Sequence, residues 1–115
     1  MISCYPKSNL TWVVSQAATA SFQAPQVPKE NETGVFAQIV LAGATSPSGT
    51  LAFQVSADGV SWSTLSVQGS AQTIAVSSNG TYNFNIQQLF SRFFRITWTY
   101  TSGTAGTFNM MYNKN

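Results

Sequence analysis

The groups in this chain that could do chemistry are few: a single aspartate, Asp58; two glutamates, Glu30 and Glu32; a single thiol, Cys4; and no histidine. Glycoside hydrolysis by paired carboxylates needs two carboxyl groups facing each other across the scissile bond. Glu30 and Glu32 instead share a polar stretch, "QAPQVPKENETG", and Asp58 sits alone in "FQVSADGVSWSTL". Histidine-based acyl transfer lacks its imidazole, and a catalytic zinc site lacks its three protein ligands. One cysteine cannot form an internal disulfide, and no phosphate-cradling glycine pattern is present. The inventory predicts a protein that is not an enzyme and that carries no cofactor and no catalytic metal.

Asp58 then needs a non-chemical explanation. Asp-Gly is a preferred pair for a two-residue type I′ hairpin turn, because both central positions need positive φ, which glycine takes freely and aspartate tolerates. Asp58 and Gly59 as the turn would pair Ala57 with Val60, Ser56 with Ser61, and Val55 with Trp62. Trp62 would join Phe53 and Val55 on the core face, where an aromatic to β-branched pair contributes about 0.2–1 kcal/mol. Binding chemistry is offered by Arg92 and Arg95 beside Phe93, since guanidinium groups hold carboxylates and stack on rings. A regular strand would send the two arginines to opposite faces. Phe36, Phe93 and Arg95 are the residues expected on outer faces and available to an interface.

The elements that must position these residues are strands. Alternation recurs: Leu51, Phe53 and Val55 in "TLAFQVS", Tyr82, Phe84 and Ile86 in "TYNFNI", Phe94, Ile96, Trp98 and Tyr100 in "RFFRITWTY", and Phe108, Met110 and Tyr112 in "TFNMMY". Each set lines one face of a strand with period two. Further strands are predicted at 10–15, 19–23, 35–42, 61–67 and 72–76, with turns at 43–49, Gly69-Ser70, 77–80 and 102–106. "IQQLF", residues 86–90, is expected to make one helical turn. Eight or nine short strands at this spacing predict an all-β chain with a single antiparallel β-sandwich, jelly-roll-like, and a small barrel as second choice. The predicted core includes Phe53, Val55, Trp62, Phe84, Ile96 and Trp98.

Residues 1–33 read differently. Two prolines and the charge cluster of "QAPQVPKENETG" suggest an extended N-terminal arm and solvated connection, with room for one or two added strands, leading to a sandwich over 34–115. Two destinations suit the arm: its own sandwich or a neighbouring subunit. The start "MISCYPKSNLTW" lacks the basic head and apolar run of a secretion signal, and no apolar stretch reaches membrane-span length. A soluble protein made without its own secretion signal is expected.

Charge sharpens the expectation. Only 7% of residues are charged, against about 25% in an average soluble domain, so the surface lacks the mutual repulsion that keeps free monomers apart. The formal net charge of +2 comes from scattered residues, Lys7, Lys29, Arg92, Arg95 and Lys114 against Glu30, Glu32 and Asp58. No basic stripe of the kind phosphate neutralisation needs is formed, so no nucleic-acid partner is expected.

The ordered set "SGTLAFQVSADGVSWSTLSV", "VSSNGTYNFNI" and "SRFFRITWTYTSGTAGTFNM" over residues 48–115 resembles small β-sandwich virion proteins of tailed bacteriophages. That resemblance implies a capsid decoration or auxiliary protein, located in the virion, made in the bacterial cytoplasm, partnered by other virion proteins and forming a homo-oligomer. Neck, tail or head-fibre accessory proteins are an alternative within the same resemblance. The hairpin and the "RFFRI" strand are also similar to discoidin-type galactose-binding-like jelly rolls, which imply a glycan-binding module for host attachment. Under that alternative, Trp62, Asn79 and Tyr82 would gather in a concave loop region.

Overall fold

The computed structural model describes residues 10–29 and 34–114. In chain order the strands are β1 (Leu10–Ala17), β2 (Phe22–Gln23), β3 (Val27–Pro28), β4 (Val35–Ala42), β5 (Thr45–Ser56), β6 (Ser63–Thr64), β7 (Ser66–Val67), β8 (Ser70–Ala71), β9 (Thr73–Val76), β10 (Gly80–Ile86), β11 (Phe93–Thr104) and β12 (Thr107–Lys114). The first sheet has the order β1-β12-β4-β10. The second runs β2-β11-β5-β6, with β3 also on β11 and β9 also on β5, and β7 and β8 form a small hairpin of their own. All pairings are antiparallel.

The chain passes from one sheet to the other at each step between β1 and β2, β3 and β4, β4 and β5, β9 and β10, β10 and β11, and β11 and β12. This alternation builds the expected β-sandwich, because neighbours in sequence face each other across the core rather than pairing at an edge. The inward positions are those that the period-two pattern selects. Phe53, Phe84, Ile96 and Trp98 are buried with Leu51, Phe94, Phe108 and Met110, while Val55 is half-buried against them. Burying a side chain of this size contributes about 1.5–3 kcal/mol, so these aromatic layers dominate stability.

Ring contacts join the two sheets. Phe53 of the second sheet lies 5.8 Å from Phe84 of the first, and Trp98 meets Phe108 edge-on at 4.8 Å. Gly49 is required by this packing: a Cβ there would meet Trp98 Cη2 and the Thr99 carbonyl oxygen. Residues 10–29 are bound into the same core. Trp12, Ala18, Ala24 and Val27 are buried, Trp12 Nε1 donates to the Pro25 carbonyl at 2.7 Å, and Trp98 Nε1 donates to the Ala18 carbonyl at 3.0 Å. Both indole N–H groups, costly to bury unpaired, are thus satisfied: the Trp12 bond braces the segment internally, and the Trp98 bond fastens it to the sandwich. The rest of the expected arm and connection, 1–9 and 30–33, lies outside the described residues.

Several local expectations are corrected. The described residues contain no helix: Ile86 ends β10 and the rest of "IQQLF" is irregular, with Leu89 buried and Phe90 exposed. The strand expected over 61–67 breaks into β6 and β7. The turns expected at 43–49 and 102–106 are largely strand, because β5 and β11 keep pairing out to Thr45 and Thr104.

The Asp58 turn also differs. β5 pairs β6 as Val55 with Ser63 and Gln54 with Thr64, so the connection is longer than two residues and Asp58 keeps negative φ while Gly59 sits at +79°. A shift of one residue reverses every side chain beyond it. Trp62 therefore leaves the core face and becomes half-exposed on the outside of the second sheet. The paired positive φ values expected at 58–59 occur instead at Gln68 and Gly69, +52° and +82°, closing the hairpin in which Val67 faces Ser70.

Candidate functional site

Ser56 and Asp58 explain the longer turn. The Asp58 carboxylate oxygen Oδ1 accepts from Val60 N at 2.8 Å, Ser61 N at 2.9 Å and the Ser56 hydroxyl at 2.9 Å. The Ser56 hydroxyl oxygen accepts in turn from Gly59 N at 2.8 Å. Side-chain acceptors of this kind offer the backbone an alternative to ladder bonds. The donors, first Ser61 and Val60 and then Ser56, favour the ionised form and lower the Asp58 pKa from 3.8 to about 2. A carboxylate so poised is a weak proton acceptor at neutral pH. Cys4, Glu30 and Glu32 lie outside the described residues, and no group of metal-ligating side chains forms among those described.

The outer face of the second sheet carries Arg95. Its Nε donates to Gln54 Oε1 at 2.9 Å, its Nη1 donates to Gln23 Oε1 at 3.1 Å, and its guanidinium carbon stands 4.2 Å from the Trp62 ring centre. Partial burial lowers its pKa from the usual guanidinium value. The structure thus brings together Arg95 and Trp62, which the sequence reading had assigned to different faces, and occupies two of the arginine donors internally. Phe93 is half-buried on the same face, with the Arg92 guanidinium carbon 6.0 Å from its ring.

Phe36 lies on the outer face of the first sheet, which has another character. Its central rows pair Asn85, Phe36 and Asn113; then Asn83, Gln38, Met111 and Thr11; then Thr81, Val40 and Asn109. No charged side chain enters these rows. The charged residues described, Lys29, Asp58, Arg92, Arg95 and Lys114, gather toward the end where Pro28 and Ser56 face Phe93 and where Lys114 faces Val35.

The three residues expected to form a concave sugar site are not together. Trp62 lies outside the second sheet beside Arg95. Asn79 is at the opposite end of the sandwich, where its side chain accepts from Ala44 N and donates to the Ala44 carbonyl, both at 2.9 Å. Tyr82 belongs to the first sheet and donates its hydroxyl to the Ser78 carbonyl. A concave region lies elsewhere: a groove of about 780 Å³ runs between the β7–β8 hairpin and residues 85–91. Sequence reading missed it because its walls come from segments taken as one continuous strand and one helical turn.

No helix among the described residues is long and apolar enough to cross a membrane. Comparison of the chain with family models, curated proteins and solved structures finds no match.

Proposed function

We propose that the chain is a non-enzymatic structural component of a bacteriophage virion, a small decoration or auxiliary protein that docks on neighbouring subunits and on copies of itself. The observation that carries the reading is the charge-free outer face of the first sheet, where half-buried Phe36, Val40 and Met111 alternate with carboxamides. Covering such a face removes apolar surface from water without stripping an ion of its hydration, the costly step in protein contacts. The resemblance of residues 48–115 to phage virion proteins supplies the setting, and the occupied state of Asp58 supports the absence of catalysis.

Mass spectrometry of virions purified from a lysate in which the gene is expressed should find the chain at a stoichiometry matching a symmetric lattice. Electron microscopy would then place it on the shell, or at the neck or tail. A chain that never copurifies with particles and sediments as a monomer at high concentration would overturn the proposal.

A further inference from the structure

We infer that the groove between the β7–β8 hairpin and residues 85–91 is a binding site for an uncharged saccharide. This goes beyond the docking reading and shares only Asn85 with the face that carries it.

Both walls of the groove are fixed. On one side, Leu65 N donates to the Phe53 carbonyl at 2.9 Å and Gln72 N donates to the Leu65 carbonyl at 2.8 Å, tying the base of the hairpin to β5. On the other, Leu89 is buried and its carbonyl accepts from Lys29 Nζ at 2.6 Å. With Leu89 held inward, the next side chain is turned out, and Phe90 is 87% exposed. The groove therefore carries an exposed aromatic ring on its lining, a surface on which a ligand can stack.

The lining chemistry narrows what that is. Gln68, Asn85, Gln87 and Gln88 share the lining with Phe90, Leu65 and Ile86, and no charged residue lines the groove. A carboxamide donates and accepts at once, which is what a hydroxyl needs from its partner. These four side chains make no hydrogen bond among the described residues, whereas Asn79, Asn109, Gln23 and Gln54 are each engaged in holding the fold. An anion would want a guanidinium or ammonium group here, and a cation a carboxylate. A pyranose has an apolar face for Phe90 and a hydroxyl rim for the carboxamides. The groove also falls in the range of about 300–1,000 Å³ typical of small-ligand sites, and its anchored walls reduce the ordering cost of binding.

The test is titration of the full chain, isotopically labelled, with the hexasaccharides maltohexaose, cellohexaose, chitohexaose and mannohexaose, followed by amide shifts. At least one sugar should give saturable shifts concentrated at Gln68, Gln87, Gln88 and Phe90. Phe90→Ala should weaken it about tenfold with an unchanged melting temperature, as expected of an exposed side chain. No shift with any of the four, shifts centred on Trp62 and Arg95, or groove shifts seen only with virions and never with sugar would each overturn the inference. The last outcome would leave the docking proposal standing.

Discussion

Gln38 is the most informative position on the charge-free face, because it lies in the central row between Asn83 and Met111. Gln38→Glu changes shape little and adds one negative charge. In the free chain the carboxylate stays half in water and folding stability should hardly move. In a docked chain it is covered without a partner, and a buried unsatisfied polar group costs about 1–3 kcal/mol, more when ionised. That is about a 5- to 150-fold loss of affinity per contact. The face itself sets the starting affinity. Its strands pair over seven residues, Gly80 to Ile86, and at about 3.4 Å per residue and 4.8 Å per strand the four-stranded face covers about 450 Å². A standard interface hides about 800 Å² per partner, so one such contact is weak and retention on a particle depends on several. Sedimentation velocity over a concentration series, with pelleting on virions, reads both quantities. The variant should associate more weakly at pH 7 and recover as pH falls below about 4.3, the ordinary glutamate value, because protonation removes the charge being covered. Wild-type behaviour of the variant at both pH values, with loss of association on Trp62→Ala, would refute the assignment of the face.

Three further outcomes test the structure beneath this reading. Trp62→Ala should cost only about 0.5–1 kcal/mol, the worth of an exposed cation–π contact, whereas Trp98→Ala should cost about 3–5 kcal/mol; equal losses in urea denaturation would return Trp62 to the core. Asp58 should titrate near 2 by carboxyl carbon chemical shift. Its pKa is depressed in the folded state, so its contribution to stability is present above the unfolded value of 3.8, is lost as pH falls through about 2, and should be missing in Asp58→Asn; titration at 3.8 would refute the turn geometry. Gly49→Ala should destabilise by about 1–3 kcal/mol through overpacking against Trp98, read as a fall in melting temperature, and an unchanged melt would show that the β5–β11 approach is looser than described.

The sandwich was legible because its core obeys one rule. Phe53, Phe84, Ile96 and Trp98 each lie on an alternating run long enough that no register slip is tolerated, since a slip would expose the whole set. The site was not legible because it depends on what happens between the runs. Around Asp58, the Ser56 hydroxyl and the carboxylate capture Gly59, Val60 and Ser61, and these local bonds outcompete the two-residue turn that Asp-Gly favours in isolation. The result is a pairing of Val55 with Ser63. Trp62 changes face in consequence and finds Arg95, a contact that parity forbade under the expected register. The exposure of Phe90 was not legible for a related reason. Leu89 and Phe90 look alike as apolar neighbours, and which of them is buried depends on packing against distant segments that the local sequence does not display.

The two edges of the first sheet add a constraint that neither face shows alone. β1 is interrupted by register shifts and by Ser15 at a φ of +50°, irregularities that spoil an edge as a template for further pairing. β10 has no such protection: it pairs β4 without a register shift from Gly80 to Ile86, carries no charge and no proline, and forms the opposite edge. Asn85 stands on this edge with its row on the charge-free face and its side chain on the groove. The unprotected edge and the ion-free face thus adjoin along β10, and Phe90 follows their Ile86 end, the end at which Lys29, Arg92 and Lys114 also gather. Under the proposed docking function, the β10 edge beside the ion-free face is where a neighbouring subunit would sit, since that edge offers unpaired backbone groups and that face can be covered without desolvating an ion.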